Sequence, residues 1–70
     1  MNKLSLAIEE CINECKESGN GYIELKENTI KAEWEEWELD FKHDVITVYI
    51  YQNNVVKFRY QLEETKMEAN

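Results

Sequence analysis

The sequence predicts an α+β fold: one N-terminal helix packed on a four-stranded antiparallel sheet, with a short helix able to follow at the C-terminus. Three observations lead there. Apolar residues recur at helical spacing near the N-terminus, the period drops to two from Tyr22 onward, and turn-forming residues divide that second stretch into strands.

Leu4, Ala7, Ile8, Cys11, Ile12 and Cys15 fill one face of a helix from residue 3 to about 18, while Glu9, Glu10, Asn13, Glu14 and Glu17 fill the other. Asn2 is placed to cap its start and Gly19 its end, and Gly19-Asn20-Gly21 reads as a turn. Ile23 and Leu25 then alternate with Tyr22, Glu24 and Lys26, and Glu27-Asn28 turns the chain into a second strand through Ile30, Ala32 and Trp34. Beyond Trp34 the phase slips: Trp37, Leu39 and Phe41 are apolar, whereas Glu36, Glu38, Asp40 and Lys42 are polar. A slip of one residue throws a strand's side chains to the wrong face, so a β-bulge is expected near Glu35-Glu36. His43-Asp44 makes the next turn. Val45 to Tyr51 is β-branched and aromatic and reads as a central strand, with Ile46, Val48 and Ile50 on the core face. Gln52-Asn53-Asn54 is a hairpin turn, since asparagine tolerates left-handed backbone. The last strand, Val55 to Leu62, sets Val56, Phe58, Tyr60 and Leu62 against Lys57, Arg59 and Gln61. Glu63 to Asn70 is polar.

The 70 residues, 1–70, make a single domain, barely long enough to bury a core. With 43% hydrophobic and 33% charged residues the chain is neither a disordered tail nor a membrane protein. Fifteen acidic residues against eight basic ones give a net charge of −7, which disfavours direct binding to nucleic acid, because such binding needs basic charge to displace counterions. No apolar run is long enough to span a bilayer, and the run after Lys3 is broken by Glu9-Glu10 before it could serve as a signal peptide, so a cytoplasmic location is expected. Cys11 and Cys15 share a helix face at a spacing poorly suited to a disulfide. They read as buried thiols, since a closed zinc site needs four ligands and His43 is the one good third.

Little catalytic chemistry is legible. His43 is the sole histidine, Gly19-Asn20-Gly21 lacks the third glycine and preceding strand of a dinucleotide loop, and Asp40 and Asp44 lack the pattern of a calcium loop. No cofactor and no enzymatic activity are expected. What stands out is charge: Glu33 to Asp44 holds six acids and one base, a net −5. Acids at alternate strand positions lie about 6.6–6.8 Å apart, close to the advance of two nucleotides along the DNA axis at about 3.4 Å each. Glu36, Glu38 and Asp40 could thus present a phosphate-like row, joined across the bulge by Glu33 and Glu35. The same acids also suit a solvated face that keeps an edge strand soluble.

A tiny, proline-free, strongly acidic αβ chain with Glu33, Glu35, Glu36, Glu38 and Asp40 on a strand resembles the DNA-mimic proteins of bacteriophages. It is similar in size and character to the phage inhibitor of the bacterial nucleoid protein HU, and to small anti-CRISPR and anti-restriction proteins. The resemblance implies a partner-binding protein that occupies the basic surface of a host DNA-binding protein, HU foremost, in the host cytoplasm. Two further uses stay open: inhibition of a CRISPR or restriction nuclease, and an adaptor or structural role for the apolar outer sheet face. That face is expected to carry Val45, Tyr49, Tyr51 and Val55, with Tyr22 beside them. It is either capped by the C-terminal segment or forms the interface of a homodimer.

Overall fold

The computed structural model describes residues 2–36 and 43–65. Helix α1 spans Lys3–Ser18, followed by β1 (Asn20–Glu24), β2 (Thr29–Glu36), β3 (His43–Gln52) and β4 (Val55–Thr65). The strands form one antiparallel sheet in the order β1-β2-β3-β4, with α1 on one face, as the sequence predicts. The C-terminal helix expectation falls on both sides of a boundary: Glu63 to Thr65 belong to β4, and residues 66–70 lie outside the described residues.

Both ends of α1 follow from their capping residues. The Asn2 side chain accepts a hydrogen bond from the Ser5 N–H at 2.7 Å, satisfying one of the free donors of the first turn. At the other end Gly19 takes φ 93°, and its N–H donates to the Cys15 carbonyl. Gly19 alone makes the turn, because β1 already begins at Asn20. The Gly19 carbonyl then accepts the Trp34 N–H at 2.9 Å, tying the helix end to β2. The β3–β4 hairpin turns through Asn53 (φ 54°) and Asn54 (φ 63°), two successive left-handed residues as a type I′ turn requires.

The core lies between α1 and the strands: Ala7, Cys11 and Cys15 from the helix meet Ile30, Ala32, Ile46, Val48 and Ile50. Partly buried Leu4, Ile8, Ile12, Ile23, Leu25, Trp34 and Leu62 surround them. A Cβ placed on Gly21 would stand 2.2 Å from the Cys11 carbonyl oxygen, so β1 lets the helix backbone come this close only because position 21 has no side chain. The Cys11 thiol completes the contact by donating to the Ile30 carbonyl at 3.6 Å.

Three local expectations are corrected by the register. No bulge occurs at Glu35-Glu36: β2 pairs with β3 without interruption from Thr29↔Tyr51 to Glu36↔Asp44. The acids need no bulge because Glu36 lies beyond Trp34, where the chain leaves the helix end, and that position can be polar. His43 and Asp44 are the first residues of β3, not a turn. The irregularity sits instead between Ile50 and Tyr51, where Ile50 faces Phe58 but Tyr51 faces Val56, leaving Lys57 as the extra residue. Val56, not Val55, therefore neighbours Tyr51 on the outer face, and Val56 no longer shares a face with Phe58, Tyr60 and Leu62.

Gly21→Ala is expected to lower stability by about 3 kcal/mol through overpacking against the helix backbone. Gly19→Ala, which meets nothing within 4 Å but must hold φ +93°, should cost about 1–2 kcal/mol. Urea unfolding followed by tryptophan fluorescence reads both. Equal losses would mean that α1 stands further from β1 than this packing requires.

Candidate functional site

Antiparallel partners share a face, so the register sorts each acid. Glu33 and Glu35 lie two apart on the outer face of β2, opposite Thr47 and Val45 of β3, which in turn face Gln61 and Glu63 of β4. Glu36 is on the helix-side face, in one cross-strand row with Asp44 and Glu64. Glu38 and Asp40 lie outside the described residues. The single-strand row expected from Glu36, Glu38 and Asp40 together with Glu33 and Glu35 is thus divided: unbroken alternation sends Glu33 and Glu35 one way and Glu36 the other.

Acids from three neighbouring strands nevertheless converge on one end of the sheet: Glu33, Glu35 and Glu36 from β2, Asp44 from β3, and Glu63 and Glu64 from β4. Glu63 and Glu64 join the cluster through the strand order alone, which sets them alongside β3. Glu35, Glu36, Val45, Gln61, Leu62 and Glu63 line an open recess of about 400 Å³ there, wide enough for the end of a long side chain.

Polar contacts organise this end. The buried Thr47 hydroxyl donates to Glu35 Oε2 at 3.3 Å and accepts from Gln61 Nε2 at 3.3 Å, linking β2, β3 and β4 across the outer face. On the helix side, Trp34 Nε1 donates to Asp44 Oδ2 at 2.6 Å. Asp44 is buried at 4% exposure, and its Oδ1 has no hydrogen-bond partner among the described residues. Lys16 of α1 reaches Glu64 at 3.3 Å. Such a half-exposed pair contributes little to stability but offsets some of the repulsion within the acidic row.

The centre of the outer face differs in character. Tyr22, Lys31, Tyr49 and Arg59 form one cross-strand row, with the Arg59 guanidinium 5.9 Å from the Tyr49 ring centroid. Tyr49 and Tyr51 stand 6.3 Å apart, centroid to centroid. Tyr49, Tyr51 and Val45 are each partly covered by such neighbours, whereas Tyr22 is half-exposed and donates its hydroxyl to Glu24 at 2.5 Å.

Cys11 and Cys15 are free and fully buried. Burial, and then the nearby Glu14 and Cys15, push the Cys11 thiol from 9.0 up to about 11. Cys15 is raised by burial and then by Glu33 and Glu64. Thiols held protonated in this way are poor nucleophiles and poor ligands. Among the described residues no group of three or more His, Cys, Asp and Glu side chains could hold a metal ion, and no helix is long and apolar enough to cross a membrane.

A comparison of the chain with protein-family models, curated proteins and solved structures yields no match.

The raised thiols make stability sensitive to alkaline pH. Cys11 binds its proton more tightly folded than unfolded, so its contribution is intact below pH 9 and is lost as pH rises toward 11. Stability measured by urea unfolding should stay level to about pH 8 and fall through that window. Cys11→Ala should flatten the decline without abolishing it, because Cys15 and the burial-raised Tyr60 titrate in the same direction. An unchanged slope in Cys11→Ala would place the thiol outside the core.

Proposed function

We propose that this chain is a non-enzymatic binding protein that sets an acidic surface against the basic, DNA-contacting face of another protein and thereby keeps DNA from it. The observation that supports the reading is the gathering of one-sign charge from β2, β3 and β4 at one end of the sheet, with Glu33 and Glu35 side by side on the outer face and Glu36 at the rim. Same-face neighbours on a strand are about 6.6–6.8 Å apart, close to the rise of two nucleotides along the axis of duplex DNA. The sequence between β2 and β3 adds Glu38 and Asp40 to the same region of the chain. A basic dimer such as HU offers charge of the opposite sign, and complementary fields speed encounter and make it salt-sensitive.

Nothing in this reading asks the acids to stabilise the fold. Glu35 and Glu36 are exposed and Glu33 is partly so. Neutralising them should leave stability level or raise it slightly as repulsion is relieved.

The triple variant Glu33→Gln, Glu35→Gln, Glu36→Gln is compared with Glu10→Gln, Glu14→Gln, Glu17→Gln, which changes net charge equally on the helix. Displacement of labelled DNA from HU, followed by fluorescence anisotropy at low and high salt, gives the affinity of each. The strand variant should bind about tenfold more weakly at low salt, the sum of three exposed charge pairs, and the gap should close at high salt. Equal weakening of both variants would reduce the effect to net charge. Undiminished binding by both would leave the acids as a solvated face.

A further inference from the structure

We propose that two copies of this chain pair edge to edge through β4, antiparallel, with Tyr60 at the two-fold axis. The inference is independent of the function assigned to the acidic end.

The starting point is what α1 leaves uncovered. The helix packs on β1 and β2 and reaches β3 only marginally; its backbone does not approach β4. β4 is an edge strand of 11 residues that contains no proline. Its Phe58 is 66% exposed although it faces the helix side of the sheet opposite the buried Ile50, Val55 and Val56 are exposed as well, and Tyr60 is 37% exposed. Of the large hydrophobic side chains exposed on the described residues, only Leu6 and Tyr22 lie elsewhere. A long apolar edge with unpaired N–H and C=O groups is a template for another strand. Natural edges are guarded by a covering element, a bulge, edge lysines or proline; on β4 the bulge and the lysine both fall at one end, at Lys57, and Phe58 to Leu62 have neither a bulge nor a proline.

Charge specifies which strand fits. Lys57 and Arg59 occupy the first half of β4, and Glu63 and Glu64 the second. A parallel, in-register stack would set lysine on lysine and glutamate on glutamate, which opposes open-ended growth. An antiparallel copy reverses the order. With Tyr60 facing the partner's Tyr60, Phe58 lies opposite the partner's Leu62 on the helix side. Counting back along the strand from Phe58, Lys57 then comes opposite the partner's Glu63, and Arg59, which the register sets on the outer face, is diagonal to that same carboxylate. The two-fold repeats each contact, so β4 is self-complementary in this one direction. Each copy uses the one long sheet edge that is uncovered among the described residues, and the assembly closes at two. The bulge at Lys57 bends the strand away at the end of this segment and limits the pairing to about residues 57–63.

Sedimentation of the full chain over a concentration series tests this directly, and the wild type should pass from monomer to dimer. Lys57→Glu and Glu63→Lys should each weaken dimerisation roughly tenfold or more, since each turns two attractive pairs into two repulsive ones. They move net charge in opposite directions, to −9 and −5 from −7, so overall repulsion alone would weaken the first and strengthen the second. An equimolar mixture of the two variants restores both pairs and should dimerise like the wild type. Both positions are exposed, and circular dichroism checks that the fold is kept. A wild type monomeric at every concentration would overturn the proposal. So would a dimer indifferent to both charge reversals, which would point to packing through the helix-side face or the outer tyrosines. Failure of the mixture to recover would overturn the antiparallel register. None of these variants alters Glu33, Glu35 or Glu36, so a negative result here leaves the function proposal to its own test.

Discussion

The Cys11 carbonyl occupies the space that a side chain at position 21 would fill, and this contact sets where the helix can lie. The approach draws α1 over β1 and β2, where Cys11 also reaches the Ile30 carbonyl and the helix end is pinned to Trp34. A helix with its side chains is about 10–12 Å across, and strands are about 4.8 Å apart, so one helix shelters little more than two strands. Held over β1 and β2, α1 leaves Phe58 of β4 uncovered, although Leu62 still packs at the margin of the core and Lys16 reaches Glu64. The helix is short as well as narrow: 16 residues reach about 24 Å, whereas the ten residues of β3 extend about 33 Å. Two surfaces follow from that mismatch. One is the apolar edge of β4, which no other described element covers, and the other is the end of the sheet beyond Gly19, where Glu36, Asp44 and Glu64 face the helix side.

That end shows how a small chain tolerates concentrated charge of one sign. Exposed carboxylates repel through water and salt, which screens them over about 8 Å, so most of the cost is small. Asp44 is the exception because it is buried, and a buried carboxylate must find donors. The Trp34 indole supplies one, and the same ring packs against the core, joining the acidic end to the hydrophobic interior. On the outer face Thr47 is buried between Glu35 and Gln61 and gives them a shared hydroxyl, which links the three strands through polar contacts.

Local signals carried most of the fold in the sequence. Asn2, Gly19 and the Asn53-Asn54 pair mark their caps and turn by chemistry that acts within a few residues, and the helix period from Leu4 to Cys15 needs no tertiary context. Register was harder to read. The apolar slip after Trp34 resembles a bulge, yet pairing runs straight through Glu36, and the actual irregularity sits at Ile50/Tyr51, where the alternation of β3 gives no sign of it. That single extra residue exchanges Val55 and Val56 between faces. The acids of the candidate site were visible in β2 as a charge run, but their division between faces and their company in β4 depend on register and strand order. Strand order also decides that β4 is an edge, although the charge halves of Lys57-Arg59 and Glu63-Glu64 were in plain view.

A dimer paired through β4 would place the two acidic ends in a defined relation. From Glu35 of one copy to the partner's Glu35 the path crosses five strand spacings, about 24 Å. The antiparallel offset displaces the two ends along the strands by about 20 Å, so on a flat sheet they stand about 31 Å apart. One turn of duplex DNA rises about 34 Å, and dimeric DNA-binding proteins repeat their contacts at that interval. Two equivalent acidic clusters at a similar separation, related by a two-fold axis, match a symmetric basic partner better than either cluster does alone. Each exposed charge pair is weak. Linking the two sites through a rigid sheet makes the second engagement intramolecular, and affinity then rises without any stronger contact. In this arrangement the edge of β4 would give the proposed acidic binding surface its reach.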